Sequence, residues 1–199
     1  MKKIKIYHDM LELYANELTN LYKYKTIIDI ACGHGKYSIV SQKAGFSTLG
    51  VDARTERIPL TEFENLGIVF KQSSLEDIYE INQDICLLFG IFYHLDFGQQ
   101  LDLLSKINSK VTLIHTLIYN ENSKEAFNLQ NETVLGNLNF AVYKEGNKRD
   151  TRAKASMNNY FSIWHTEESL KNMFLNAGFK TFEKLNDITV RSGFFKATK

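Results

Sequence analysis

The run Thr26-Ile27-Ile28-Asp29-Ile30-Ala31 passes directly into Cys32-Gly33-His34-Gly35, and a stretch with helical character, Lys36 to Ala44, follows. A short β-branched apolar run suits a strand covered on both faces. Two glycines in the turn let the chain bend tightly and let a ligand come close to the backbone. A strand that feeds a helix through such a turn is the first half of a βαβ unit. Its next strand then lies parallel to the first, across a right-handed connection. Gly45 stands where a helix C-cap belongs, and Phe46 to Val51 reads as that second strand, ending at Asp52. This one unit directs the chain towards a parallel α/β sheet.

The alternation continues. Ile68-Val69-Phe70 reads as a third strand, Ile85 to Phe89 as a fourth and Val111 to His115 as a fifth, with a helical period over Gly98 to Ile107. Ahead of the sheet, Tyr7, Met10, Leu11, Tyr14, Leu18 and Leu21 recur at helical spacing. Two features break the rhythm. Leu117 to His165 is rich in Asn and shows no clear order of strand and helix, so it is expected to be a lid or to carry elements of its own. Thr166 then caps a helix that ends at Ala177-Gly178, and Phe179 to Leu185 and Gly193 to Thr198 close the chain as strands. With 199 residues the expectation is one domain, 1–199, with an insertion at about 117–165 that serves as lid or substrate segment.

Charge and cysteines narrow the function classes. Twenty-four Lys and Arg against 23 Asp and Glu leave a net charge of +1, which supplies no global field for nucleic acid or an anionic membrane. Cys32 and Cys86 lie in separate apolar runs, with neither a disulfide framework nor zinc spacing. Lys2, Lys3 and Lys5 have no apolar core behind them, and no run approaches a membrane span. A cytoplasmic protein is expected, acting on a small molecule without a metal.

The turn after the first strand points to a cofactor. Asp52, ending the second strand, suits a ribose diol, because one carboxylate accepts two hydroxyl protons. Nicotinamide dinucleotide, flavin dinucleotide and S-adenosylmethionine all fit this arrangement. Either dinucleotide favours Gly-x-Gly-x-x-Gly, but the sixth position here is Ser38, which argues against the close helix–strand contact of a pyrophosphate binder.

Asp29-x-Ala31-Cys32-Gly33-x-Gly35, then Gly50-Val51-Asp52, then Gln72 to Asp77, then Asp84-x-x-Leu87-x-x-Gly90-x-x-Tyr93-His94-Leu95 resembles the ordered motifs of the class I S-adenosylmethionine-dependent methyltransferases. Trp164-His165-Thr166-Glu167-Glu168-Ser169-Leu170 through Phe179 resembles that family's last helix and sixth strand. The resemblance covers roughly 26–115 and 164–199. It implies a Rossmann-like seven-stranded, mostly parallel sheet with an antiparallel last strand and helices on both faces. It also implies S-adenosyl-L-methionine as cofactor. Gly33 and Gly35, with Ala31, would let the backbone approach the methionine portion, and Asp29 would orient the loop and help attract the ammonium. Asp52, with Ala53 beside it, would hold the ribose. Ser74 and Leu75 would flank the adenine, and Phe89 and Gly90 would line the floor near the sulfonium.

Transfer to a hydroxyl needs a proton acceptor, and histidine is the default. His94, following the fourth strand, is the first candidate, with His115 and His165 behind it; Tyr93 would orient the acceptor or pack. The only proline is Pro59, so the Asp/Asn-Pro-Pro-Tyr motif of DNA amino-methyltransferases and the Pro-Cys nucleophile of cytosine C5 enzymes are both absent. No Asp/Asn/Glu cluster has magnesium-ligand spacing. Tyr160, Trp164 and Arg152 are the candidate substrate contacts, Arg152 within a basic group that includes Lys144, Lys148, Arg149 and Lys154. Methyl transfer to a hydroxyl or amine of a small molecule follows, with saccharide, nucleotide-linked and natural-product acceptors in view. An RNA methyltransferase, or a non-catalytic protein that binds the cofactor, are the competing readings.

Overall fold

The computed structural model describes residues 5, 24–127, 129, 132–136, 138–144, 159–189 and 191–199. The helix read over Tyr7 to Leu21, and Arg152 with Lys148, Arg149 and Lys154, lie outside the described residues. Seven strands form one mostly parallel sheet with an antiparallel last strand, in the order Val69–Gln72, Ser47–Asp52, Thr26–Ile30, Ile85–Phe89, Val111–Leu117, Ser192–Thr198 and Thr181–Thr189, and three more, Glu132–Leu135, Leu138–Lys144 and Phe161–His165, form a separate sheet. The chain divides into two compact units, 1–89 with 106–112, and 90–105 with 113–199.

The first unit holds β1 (Thr26–Ile30), α1 (Lys36–Lys43), β2 (Ser47–Asp52), α2 (Leu60–Leu66), β3 (Val69–Gln72) and β4 (Ile85–Phe89). β1 lies between two parallel partners: Ile28 pairs with Leu49 of β2 and with Cys86 of β4. That central position explains why Ile27 to Ile30 and all five residues of β4 are buried. Asp84, just before β4, accepts hydrogen bonds on Oδ2 from the Lys25 and Thr26 amides and from the Thr26 hydroxyl, at 3.0, 3.1 and 2.9 Å. It therefore clips the start of β4 to the start of β1. Both cysteines are free and buried.

The sequence pattern does not predict α2. Gly67 follows it with φ of 72°; its N–H donates to the Glu64 carbonyl, and the Ile68 N–H donates to the Phe63 carbonyl. This is the Schellman arrangement. α1 ends the same way at Gly45 and Phe46, as the sequence suggests.

The second unit opens with a 3-10 turn, Phe92–His94, and α3 (Phe97–Lys106), whose last residue falls in the first unit. Asp96 and Gln99 cap α3 reciprocally: the Gln99 N–H donates to Asp96 Oδ1 at 2.8 Å, and the Asp96 N–H donates to Gln99 Oε1 at 3.2 Å. β5 (Val111–Leu117) begins in the first unit and continues into the second. Then come α4 (Glu121–Phe127), β6 (Glu132–Leu135), β7 (Leu138–Lys144) and β8 (Phe161–His165). The segment read as lacking rhythm thus has its own antiparallel sheet, with Val134 opposite Asn139 and Val142 opposite Ile163. α5 (Glu167–Asn176) starts where the sequence places it, the Thr166 hydroxyl accepting the Ser169 N–H at 3.2 Å. β9 (Thr181–Thr189) starts later than expected, because Phe179 completes the Schellman cap at Gly178. β10 (Ser192–Thr198) runs antiparallel to β9.

Candidate functional site

The glycine turn after β1 is pinned from two sides. The Cys32 N–H donates to the Val51 carbonyl at 3.0 Å, joining the turn to β2, and the Gly35 N–H donates back to the Cys32 carbonyl at 2.9 Å. Ala31, Gly33 and Gly35 all have positive φ, of 56°, 55° and 66°. At Gly35 no side chain fits: a Cβ there would lie 2.3 Å from the Phe63 ring. Phe63 belongs to α2 and packs beneath the turn with Cys32, Ile58 and Ile68. At Gly33 a Cβ would meet nothing closer than 3.9 Å, so that face of the turn is open.

Asp52 ties the turn to the end of β2. Its Oδ2 accepts the Gly33 N–H at 2.9 Å, its Oδ1 accepts the Arg54 N–H at 2.8 Å, and its backbone carbonyl accepts the Ser73 N–H at 3.1 Å. The Arg54 guanidinium stands 3.9 Å from Oδ1. Each carboxylate oxygen accepts one of these amides, which leaves acceptor capacity on both for a diol. α1 starts at Gly35, which has no side chain to cap it, and Ser38 in its first turn turns both its N–H and its hydroxyl to Asp29. An open glycine face and a carboxylate with spare lone pairs fit a nucleoside-bearing cofactor.

Asp29 behaves differently. It is 1% exposed, and its Oδ2 accepts the Ser38 hydroxyl at 2.7 Å. Loss of hydration pushes its carboxyl up to about 7, opposed by the hydrogen bonds from Ser38 and assisted by the charge of Asp52. Its observed contact therefore locks β1 to α1 beneath the turn. Ser38, the residue that departs from the dinucleotide motif, is fully buried and supplies that lock. The helix and strand approach closely here without a third glycine.

The other predicted residues of the first unit are held by contacts of their own. The Ala53 carbonyl accepts from Gln72 Nε2 at 3.2 Å. The Ser74 hydroxyl donates to Asp77 at 2.8 Å, and Leu75 presents its carbonyl to the Lys106 ammonium at 3.3 Å. Phe89 is buried, with Tyr37 of α1 packed edge-on at 4.9 Å.

In the second unit, Gly90 has φ of 80° and donates its N–H to the His115 carbonyl at 2.9 Å. Tyr93 and His94 lie in the 3-10 turn with ring centroids 4.1 Å apart. Asn159, which sequence reasoning missed, donates from Nδ2 to the His94 carbonyl at 2.9 Å and to Gln99 Oε1 at 2.7 Å. It links the end of the insertion to the turn that carries His94. A single Asn in an Asn-rich stretch gives no signal of this in the sequence. His115 is buried on β5, its ring 5.1 Å from Phe194. His165 is buried on β8. Gln100 Nε2 donates to the Phe92 carbonyl, which turns Gln100 Oε1 towards His165 Nε2 at 2.8 Å. His165 Nε2 therefore carries the proton, and burial pulls its pKa down to about 4. Trp164 is also buried, whereas Tyr160 is 63% exposed.

The fold is similar to that of known structures. The N-terminal domain of EvdMO1 with S-adenosylhomocysteine bound aligns over 94% of this chain and 80% of its own, with a TM-score of 0.69 and 16% identity. This is the fold of the class I S-adenosylmethionine-dependent methyltransferases. Magnesium protoporphyrin IX methyltransferase from Synechocystis, with S-adenosylhomocysteine, aligns over 100% of this chain and 86% of its own (TM-score 0.63, 13% identity). The 1,6-didemethyltoxoflavin-N1-methyltransferase of Burkholderia thailandensis, with its substrate and S-adenosylhomocysteine bound, aligns over 95% and 77% (TM-score 0.64, 13% identity). No family model matches the sequence, and no curated protein matches it. Among the described residues no helix is long and apolar enough to cross a membrane.

Proposed function

We propose that this chain is a methyltransferase that moves a methyl group from S-adenosyl-L-methionine to a hydroxyl or amine of a small molecule. The observation that carries the reading is the convergence of Asp52 with the open, positive-φ glycine turn, through the Gly33 N–H at 2.9 Å. Structural neighbours crystallised with S-adenosylhomocysteine support it. Asp52, flanked by Ala53, accepts the ribose hydroxyls. Ala31, Gly33 and Gly35 let the methionine portion lie against the backbone, and Asp29 holds that backbone in shape through Ser38. Ser74 and Leu75 flank the adenine; Phe89 and Gly90 form the floor.

The bound cofactor supplies an electrophilic methyl: a C–O or C–N bond forms as the C–S bond breaks, and the thioether leaves neutral. The chain aligns the acceptor and takes its proton, and alignment alone contributes several kcal/mol. His94 is the proton acceptor we favour, because its turn follows β4 directly and is fixed by Asn159. His165 suits the role less, since a buried ring with its pKa near 4 resists the charge a base must take up. The 117–165 segment, including Tyr160, Trp164 and Arg152, supplies acceptor contacts.

Calorimetry with S-adenosylmethionine, S-adenosylhomocysteine and NAD tests the cofactor. The first two should bind, and binding of NAD alone overturns the reading. Asp52→Ala should weaken binding by about 1–3 kcal/mol, because the ribose loses its charged acceptor. Asp52→Asn, which keeps one acceptor for Gly33, separates that loss from collapse of the turn. Mass spectrometry of a hydroxylated small-molecule panel then detects transfer. His94→Ala should keep cofactor affinity and lose turnover; full turnover in this variant removes His94 from the chemistry.

A further inference from the structure

Trp164 is 2% exposed, yet its indole N–H has no hydrogen-bond partner. An orphaned buried donor costs about 1–3 kcal/mol, so a fold keeps one where something else satisfies it. The indole lies in a nest of rings: Phe127 meets it edge-on at 4.8 Å, and Tyr143 lies at 5.5 Å with planes 32° apart. Tyr119 is buried in the same cluster, while Tyr93, Phe127 and Tyr143 are only partly buried against it, so one edge of the nest meets solvent. The Tyr93 ring also lies 4.1 Å from that of His94, with the planes tilted by 41°, which puts the favoured proton acceptor at the border of the cluster.

A cation completes the arrangement. The Arg191 guanidinium lies 5.0 Å over the Phe127 ring. A planar guanidinium on an aromatic face is well placed to bind a carboxylate in bidentate fashion. Tyr93 and Tyr119 lie on the segments that follow β4 and β5, the sheet edge at which open α/β folds bind ligands.

We propose that the ring nest around Trp164, with Arg191 at its edge, is the acceptor site and takes a planar aromatic hydroxy compound bearing an anionic group. This rests on the methyltransferase reading and names its substrate class. The rings provide the stacking surface, the Trp164 N–H donates to an oxygen of the acceptor, and Arg191 pairs with the anion. A saccharide asks for several carboxylate and amide partners, whereas this lining is mostly carbon. On transfer the phenolic oxygen gains the methyl, its O–H proton passes to His94, and S-adenosylhomocysteine leaves.

Trp164 is the only tryptophan in the chain, so its fluorescence reports directly on the nest. Protein saturated with S-adenosylhomocysteine is titrated with para-hydroxybenzoate, para-hydroxybenzyl alcohol and methyl fucoside, and each titration is repeated by calorimetry. The expected result is saturable quenching by para-hydroxybenzoate, about tenfold tighter than by the alcohol, with no response to the fucoside. Arg191→Gln should reduce the preference for the carboxylate to below about twofold while leaving S-adenosylhomocysteine affinity unchanged. Trp164→Phe, read by calorimetry, should weaken both aromatic ligands alike. Binding of the fucoside alone, absence of binding by any probe, or a preference that survives Arg191→Gln overturns the proposal. If S-adenosylhomocysteine itself does not bind, the methyltransferase reading fails separately, and the same titrations on the free protein still decide the ring nest.

Discussion

Gly35 carries two constraints at once. Its φ of 66° is unfavourable for any residue with a Cβ, and a Cβ would collide with the Phe63 ring at 2.3 Å. Gly35→Ala should therefore destabilise the protein by about 2–4 kcal/mol, the sum of left-handed strain and overpacking. In urea denaturation, Phe63→Leu in the Gly35→Ala background should return part of that loss by clearing the overlap. Strict additivity of the two substitutions would show that the ring is not what forbids the side chain. The neighbouring Ser38 shows how a sequence rule misleads at this scale. The third glycine of a dinucleotide motif permits close helix–strand packing, and a serine in its place argues against that packing. Here the hydroxyl faces a buried carboxylate, so the contact stays close and gains a hydrogen bond.

Among the elements, one device recurs. α1, α2 and α5 all end with a glycine at positive φ followed by a buried apolar residue: Gly45-Phe46, Gly67-Ile68 and Gly178-Phe179. In each, the two N–H groups satisfy the last carbonyls, and the apolar residue plugs the core as the chain turns towards the next strand. The caps at Gly45 and Gly178 are legible in the sequence. The cap at Gly67 is not, because α2 has seven residues and only Phe63 among them is buried, too few to set up a period. Gly67→Ala isolates the backbone cost, since a Cβ there meets only Gln42 at 4.0 Å. A thermal or urea midpoint should register about 1 kcal/mol, well below Gly35→Ala. Equal losses at the two glycines would contradict the steric account of the turn. The three insertion strands leave no pattern in the sequence for another reason: their partners are one another, and short antiparallel strands declare themselves only when paired.

For the whole molecule, two buried groups make stability depend on pH in opposite senses. Asp29 has its pKa raised from 3.8 to about 7, so the folded state holds a proton that the unfolded chain releases. Its contribution falls as pH rises through that window. His165 has its pKa lowered from 6.5 to about 4, so the unfolded chain takes up a proton that the folded state refuses. Its contribution falls as pH drops through that window. Between about pH 4 and 6.5 the two slopes oppose, each worth on the order of a few kcal/mol. Asp29→Asn should therefore become progressively more stable relative to the parent from pH 4 to 7. His165→Asn should become relatively more stable as pH falls from 6.5 to 4. Chemical denaturation at several pH values reads both, and parallel profiles for parent and variant would refute the corresponding assignment.

The local order was written in the chain: β1, the glycine turn, α1 and Asp52 are neighbours in sequence, so periodicity and turn chemistry suffice to align them. The helix starts and stops at Thr166, Gly45 and Gly178 follow from the same short-range hydrogen bonds. What depends on residues far apart was decided only by the tertiary structure. Asn159 reaches His94 and Gln99 across more than half a hundred residues. Phe63 closes the turn from a helix with no visible period, and Trp164 and Arg191 both meet the Phe127 ring from distant parts of the chain. Propensity acts over a few residues, whereas burial and pairing join any two points that the sheet brings within reach.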